Sequence, residues 1–149
     1  RGVGVACVNY LNTYVGTMAE VGVEKSGEVR VKRVVCAQDM GRVINPDGAR
    51  AQIEGSITMG LGYCLSEEIR FRGGDIQHRN FDTYEIPRFS WLPKIETILV
   101  ENRELEPQGG GEPPIVNMGA VVANAVFDAT GARLKRLPIT PARLKAALT

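Results

Sequence analysis

The feature that most restricts the fold is a change of hydrophobic period after the first quarter of the chain. Residues 3–10, 13–24 and 28–37 are rich in valine, tyrosine, threonine and alanine, a composition typical of strands. The sequence KSGE at 25–28 indicates a hairpin turn between the second and third strands. From 47 to 68 the apolar residues recur at helical spacing instead. The apolar positions of this predicted helix are Ile53, Ile57, Leu61, Cys64 and Leu65.

The second half of the chain continues the mixture of strands and helices. RFRGGDIQHRN is a turn-rich hairpin, and KIETILVEN, at 94–102, reads as a further strand. A second main helix is predicted to begin at Pro113 or Pro114 and to end at Gly131, a common helix stop. Its apolar positions are Ile115, Met118, Val122, Ala125, Val126 and Ala129.

A short last helix is predicted from Thr140, a cap residue, and Pro141 at the first helical position. Residues 1–149 are therefore expected to form a single α+β domain, with an antiparallel or mixed sheet and two main helices packed on it. The opening RGVGVACVNY has no initiator methionine and starts directly in a strand pattern. We therefore expect the chain to be part of something longer.

Composition excludes several classes of function. The 18 basic and 17 acidic residues leave a formal net charge of +1, so no basic surface is available for nucleic acid or an anionic membrane. The spacing of Cys7, Cys36 and Cys64 fits neither a zinc nor an iron–sulfur site, and their odd number argues against a disulfide framework. We expect all three to be buried apolar residues, and the single histidine, His78, to be a surface residue.

The sequence EPQGGGEPPIV, at 106–116, places one carboxylate, Glu112, between a flexible glycine loop and a forced helix start. One interpretation is structural, with the Glu112 carboxylate interacting favourably with the helix dipole at the N-terminal end of the helix. The other is catalytic, with Glu112 as a general base that glycines allow a substrate to approach. A phosphate cradle is disfavoured because the loop lacks the lysine and Ser/Thr of a nucleotide-binding loop.

The helix predicted at 47–68 has a second stripe of residues besides its apolar one. This stripe consists of Gln52, Gly55, Ser56, Met59 and Gly62. Glycine inside a helix is destabilising by about 0.5–1 kcal/mol relative to alanine, so close approach by another group is expected there. Either a neighbouring element packs on the glycines or a flat ligand lies against them, with the Gln52 amide as both donor and acceptor.

Three segments, taken in order, resemble the C-terminal end of the molybdenum hydroxylases, the xanthine dehydrogenase and aldehyde oxidase family. They are VVCAQDMGRVINPDGARAQIEGSITMGLGYCLSEE, NFDTYEIPRF and GGGEPPIVNMGAVVANAVFDATG. The resemblance extends over nearly all of residues 1–148. It is greatest to the large molybdopterin-binding subunits of isoquinoline 1-oxidoreductase type and of bacterial aldehyde and nicotinate dehydrogenases.

The resemblance implies an oxidoreductase that hydroxylates an N-heteroaromatic carbon or oxidises an aldehyde with oxygen derived from water. It implies that Glu112 is the general base, and that Gln52 and Gly111 contact the molybdopterin cofactor. The cofactor would carry the demanding chemistry, and the protein would orient it. The two electrons released would leave through iron–sulfur clusters on a partner subunit or domain.

The same resemblance makes this chain the C-terminal fragment of a molybdopterin-binding catalytic subunit, inactive when isolated. Its partners would be the rest of the large subunit, a small iron–sulfur subunit, and a small aldehyde or N-heterocycle. The resemblance does not decide whether the enzyme is located in the bacterial cytoplasm or the periplasm. The alternative is a stand-alone α+β binding or assembly module without catalysis. The enzyme hypothesis predicts that Gln52 and Glu112 point into one concave surface.

Overall fold

A computed structural model describes residues 1–148 of the protein. The strands, in chain order, are β1 (Gly2–Tyr10), β2 (Thr13–Val23), β3 (Val29–Asp39), β4 (Phe71–Arg72), β5 (Asp75–Ile76) and β6 (Lys94–Leu99). The helices are α1 (Pro46–Leu65), α2 (Pro113–Val116), α3 (Met118–Thr130) and α4 (Pro141–Leu148). Within this described range, no helix is both long and apolar enough to cross a membrane.

The main sheet has four strands in the order β1-β2-β3-β6. The first three strands pair as antiparallel neighbours, whereas β6 lies parallel to β3 after the crossover that contains α1. The mixed sheet and its helices confirm the predicted α+β fold. The register of β2 with β3 shifts between Glu20 and Val21, which pair with Arg33 and Val31, so that Lys32 is the extra residue of a β-bulge. The bulge explains why Lys32 and Arg33, two successive residues, are both exposed.

The core lies between one face of the sheet and the two main helices. The apolar positions predicted for α1 from Ile53 to Cys64 are all buried, and Leu65 packs partly buried against them. In α3, the predicted residues Met118, Val122, Ala125 and Val126 are also fully buried. The helical periodicity of the sequence therefore identified the core-facing side of both helices correctly.

Helix α3 lies directly on the edge strand β1 because β1 has glycine where the two elements meet. A Cβ atom added to Gly4 would overlap the carbonyl oxygen of Val121 and lie too close to the backbone of Ala125. The edge of β1 is in turn bonded to polar side chains of α3. The N–H of Val3 donates to Asp128 over 2.8 Å, and the Nδ2 of Asn124 donates to the carbonyl oxygen of Val5 over 3.1 Å. These contacts cover part of an otherwise open sheet edge.

The second main helix is not continuous, contrary to the prediction. It breaks at Asn117, between α2 and α3, because this buried side chain is used by the sheet rather than by the helix. Its Oδ1 accepts a hydrogen bond from Thr17 over 3.2 Å, and its Nδ2 donates to the carbonyl oxygen of Ala6 over 3.3 Å. The predicted stop at Gly131 is confirmed, since this residue has a φ of 77° in the left-handed region.

The expectation that all cysteines are buried is wrong for one of them. Cys36 and Cys64 are buried, whereas Cys7 is exposed. Cys7 lies on the sheet face that points away from the helices, where it pairs with Gly16 of β2. His78 is partly buried, and its Nδ1 accepts a hydrogen bond from the N–H of Arg70 over 3.1 Å.

No helix in residues 1–148 covers this outward sheet face, hereafter the outer face. Neighbouring strands place Val5, Met18, Val35 and Glu96 in one row, and Cys7, Gly16, Ala37 and Ile98 in the next. Large apolar side chains are exposed on it: Val3, Val5, Tyr14, Met18 and Ile98. Exposed apolar side chains grouped in this way are typical of a contact with further polypeptide.

Candidate functional site

The glycine loop before Glu112 is fixed by side chains from three different elements. Oγ1 of Thr13, in β2, donates to the carbonyl oxygen of Gly109 over 2.8 Å. Nε2 of Gln38, in β3, donates to the carbonyl oxygen of Gly110 over 3.1 Å. The Ser56 hydroxyl, in α1, donates to the carbonyl oxygen of Gly111. Three successive peptide units are thus held before the candidate base, and the loop is not free despite its glycines. These three donors will be called the carbonyl clamp.

Gln52 lies at the same loop, one helical turn before Ser56. A Cβ atom placed on Gly111 would be 2.9 Å from Oε1 of Gln52, so the carboxamide occupies the space that any side chain at this position would need. Gln52 is itself exposed, near the start of α1. Asn45 caps that helix start, with Oδ1 accepting a hydrogen bond from the N–H of Gly48 over 3.0 Å. The fold therefore brings Gln52 next to the residue that precedes Glu112.

The Glu112 side chain is exposed and does not cap the helix that follows it. Glu112 stands at the N-cap position of α2 with a helical φ of −74°, and its side chain makes no capping hydrogen bond in the described structure. Oε2 of Glu112 instead accepts a hydrogen bond from the hydroxyl of Tyr10 over 3.3 Å. The carboxylate is thus exposed and held from β1, and the hydrogen bond of an N-cap side chain is not made.

The second stripe of α1, which runs from Gln52 to Gly62, is partly buried and partly exposed. Ser56 and Gly62 are buried, and a Cβ atom on Gly62 would collide with Glu67, so a neighbouring segment does pack there. Gly55 has open space around it, and Met59 is 66% exposed. Of the two glycines in the stripe, close packing by the protein therefore accounts for Gly62, whereas Gly55 and Met59 face open space.

A cavity of about 640 Å³ lies near the start of α1 but does not include Gln52 or Glu112. Its lining residues are Arg42, Val43, Pro46, Arg50, Leu99, Glu101 and Arg103. Gln52 lies beside Gly111, and the single concave site expected for Gln52 and Glu112 stays a prediction. In residues 1–148, no group of three or more His, Cys, Asp and Glu side chains is placed to hold a metal ion.

Two groups in the last part of α1, the half-buried Tyr63 and the buried Cys64, are held in their neutral forms. Burial raises the pKa of the Tyr63 phenol to about 12, and its hydroxyl donates to the carbonyl oxygen of Ile115 in α2. Burial likewise raises the pKa of the Cys64 thiol to about 12. Neither group is a base at neutral pH.

Sequence reasoning did not identify Tyr10, Thr13 or Gln38 as parts of this site. Each lies in a strand far from the glycine loop along the chain, and no local motif marks them. Thr13 and Gln38 are polar residues at strand positions that face the core, and both are fully buried. Their polar side chains at core-facing positions were the one signal in the sequence that could have marked them. A buried polar side chain needs a hydrogen-bond partner, which here is the loop.

Comparison with known proteins identifies the family of the chain. Residues 2–93 match the family model described as molybdopterin cofactor-binding domain. The chain is 36% identical over 157 residues to a nicotinate dehydrogenase subunit of Pseudomonas putida, with 99% of the chain and 13% of that protein covered. It is 37% identical over 140 residues to the beta subunit of isoquinoline 1-oxidoreductase of Brevundimonas diminuta, with 93% of the chain and 18% of that protein covered.

The fold is also that of a solved enzyme. It superposes on quinoline 2-oxidoreductase from Pseudomonas putida 86 with a TM-score of 0.83 and 28% sequence identity, over 91% of this chain and 18% of that one. The chain thus spans less than a fifth of the length of these relatives. The match of more than half of its residues to the family model establishes that the chain belongs to the molybdopterin cofactor-binding domain family of the molybdenum-containing oxidoreductases.

Proposed function

We propose that the chain is the C-terminal segment of the large subunit of a molybdenum hydroxylase, with Glu112 as the general base. The intact enzyme hydroxylates an N-heteroaromatic carbon or oxidises an aldehyde, using oxygen derived from water. The names of the relatives, which include nicotinate, isoquinoline and aldehyde oxidoreductases, support both substrate classes. The observation that carries the proposal is the open Glu112 carboxylate, which directly follows the glycine that contacts Gln52.

The residues around the loop fit a large planar cofactor with polar edges. The exposed Gln52 carboxamide offers a donor and an acceptor, and Gly55, next to it on α1, leaves open space. Gly111 brings the backbone close to this surface without a side chain in between. Gln52 and Gly111 would therefore hold an edge of the molybdopterin cofactor. When bound, the cofactor supplies the oxidising power and takes up two electrons from the substrate.

Glu112 would move the proton that this chemistry requires. In the hydroxylation, the substrate carbon gains an oxygen from water and loses a hydrogen together with its electron pair. Glu112 accepts a proton from the water-derived nucleophile as the carbon–oxygen bond forms, which makes the oxygen a better nucleophile. The Tyr10 hydroxyl holds the carboxylate in place from one side. The released electrons would pass to iron–sulfur clusters on a partner subunit or domain.

Further polypeptide is also part of this proposal. The relatives are much longer than the chain, which covers 13–20% of each. The outer face exposes Val5 at 55% and Met18 at 48%, and no part of residues 1–148 covers it. We assign this face to a contact with the rest of the large subunit. The competing hypothesis of a stand-alone module leaves this apolar face without an explanation.

The test is Glu112→Gln in the full-length enzyme, with molybdenum content and turnover measured together. The change keeps the volume and removes the base, so kcat should fall by a factor of about 10² to 10⁴ while the cofactor stays bound. Gln52→Ala should instead lower the molybdenum content. Glu106→Gln, at an exposed glutamate in the same loop, is the matched control and should leave both unchanged.

A Glu112→Gln enzyme with full cofactor and normal turnover would remove Glu112 from the mechanism. The isolated chain provides a separate test of the fragment assignment. Because Gln52 and Gly111 can contact only part of so large a cofactor, the purified chain should contain no stoichiometric molybdenum and oxidise no substrate. Stoichiometric metal in that preparation would contradict the assignment.

A further inference from the structure

The carbonyl clamp draws on three different elements of the fold. Its donors come from β2, β3 and α1, and each binds a different carbonyl oxygen of three consecutive glycines. A glycine run would otherwise sample many conformations, because glycine lacks the Cβ atom that restricts φ and ψ. The three bonds together select one of these conformations. The residue directly after the last fixed peptide unit is Glu112.

Gln38 shows that this arrangement has a cost. The side chain is fully buried, and its Oε1 has no hydrogen-bond partner in the described structure. An unsatisfied buried acceptor destabilises a protein, so an apolar side chain of the same size would suit the core better. The bond that Gln38 does make is the one to the carbonyl oxygen of Gly110. Holding the loop is therefore the evident use of this glutamine.

The clamp also fixes where the loop presents its N–H groups. In a trans peptide unit the N–H of one residue points opposite to the carbonyl oxygen of the residue before it. With the carbonyl groups of Gly109, Gly110 and Gly111 bonded to the clamp, the N–H groups of Gly110, Gly111 and Glu112 point away from those donors. None of these three N–H groups has a partner within residues 1–148. The glycine loop thus has one face bonded to the fold and one face available to a ligand.

We propose that Thr13, Gln38 and Ser56 are positioning residues, which hold the Gly109–Gly111 loop in one conformation and thereby set the direction of the Glu112 carboxylate. The structural part of this inference concerns the loop alone. The functional part rests on the proposed role of Glu112 as the base. A carboxylate displaced by about 1 Å can lower a rate by about 10²-fold, so a fixed loop matters to catalysis even though the clamp touches no substrate.

The structural part is tested by ¹⁵N relaxation of the 149-residue chain, with the backbone order parameters of Gly110 and Gly111 as the readout. In the unaltered chain both order parameters should be about 0.85, the value of a rigid backbone. Thr13→Val, Ser56→Ala and Gln38→Met each remove one donor with little change of volume. The double variant Thr13→Val/Ser56→Ala should lower the order parameters to below about 0.6, the value of a flexible segment.

Two hydroxyl deletions outside the clamp serve as matched controls. Thr17→Val removes a buried hydroxyl from the same face of β2, and Thr58→Val removes one from α1 that donates to the carbonyl oxygen of Glu54. Both should leave the order parameters of the loop unchanged, whatever they do to the melting temperature. Loss of order in the controls, or full order in the double variant, would overturn the clamp.

The functional part is tested in the full-length enzyme. Thr13→Val and Ser56→Ala should each lower kcat by about tenfold or more, with KM changed by less than about twofold, because substrate binding is left intact. Thr13→Ser restores the hydroxyl and should restore kcat. Normal kcat in variants with a mobile loop would overturn the positioning role. If Glu112→Gln alone is without effect, the proposed function fails, while the relaxation experiment still decides the clamp.

Discussion

The hydroxyl of Tyr10 donates a hydrogen bond to Oε2 of Glu112 over 3.3 Å, although 102 positions separate the two residues along the chain. Tyr10 is the last residue of β1, and the chain reverses through Leu11 and Asn12, both with positive φ. A leucine in that conformation is unusual, since its side chain disfavours it. The tight turn thus places the end of β1 beside the loop that carries the candidate base.

The first prediction follows from this contact. Because the bond is longer than an ordinary O–H···O bond, Tyr10→Phe should lower kcat of the full-length enzyme by no more than about tenfold, equivalent to about 1.4 kcal/mol. The free energy of unfolding should change by less than about 1 kcal/mol, because the phenol lies at the surface. Tyr14→Phe removes a phenol hydroxyl that makes no bond to Glu112, so it is the control and should not alter kcat. An equal loss in both variants would refute a specific role for Tyr10.

A second prediction concerns the contact between α3 and β1. Gly4→Ala should destabilise the chain by about 1–3 kcal/mol or more, because the new methyl group meets backbone atoms of α3, which cannot rotate away. Gly16→Ala, in the adjacent strand, adds the same methyl group where only Sγ of Cys7 is near, at 3.8 Å. Urea unfolding of both variants measures the difference. Equal stability of the two would mean that α3 does not lie on β1 as described.

Local pattern was sufficient for much of the fold. Residue composition predicted the first three strands to within two residues at each end, and helical spacing identified the buried side of α1. The break at Asn117 was not predictable from local pattern, because that residue bonds to β1 and β2 rather than to its own helix. The exposure of Cys7 was missed for a similar reason. Which face of a strand is covered depends on where the helices pack.

Only the residues of the site that stand in short sequence motifs were predicted. Glu112 and Gln52 stand in short patterns that can be recognised from the sequence, and the fold does bring Gln52 to the loop that carries Glu112. Thr13 and Gln38 lie in ordinary strand sequence. Their role depends on which segment the strand ends meet in space, which is a tertiary property that no local pattern encodes.

A third prediction concerns acid stability. Hydrogen bonds from Arg33 and then Lys94 lower the pKa of Glu96 from its ordinary value of 4.5 to about 2. Since the folded-state pKa is depressed, the contribution of Glu96 to stability is present above pH 4.5 and is lost as the pH falls toward about 2. Glu96→Gln should therefore show a smaller loss of unfolding free energy across this interval than the unaltered chain. Glu104→Gln, at an exposed glutamate, should behave like the unaltered chain.

The last prediction combines thiol reactivity with the proposed cover of the outer face. Burial raises the pKa of Cys64 to about 12 and also raises that of Cys36, and the thiolate is the reactive form. In the isolated chain at pH 8, the exposed Cys7 should therefore react with a thiol reagent more than about 100-fold faster than the two buried cysteines. Cys7→Ser should abolish the fast phase.

In the full-length subunit the Cys7 thiol should be protected from the reagent, because the rest of the subunit covers the outer face around it. Labelling of Cys7 at the same rate in the isolated chain and in the full-length subunit would show that this face stays uncovered. That result would contradict the assignment of the outer face as the contact with the rest of the subunit.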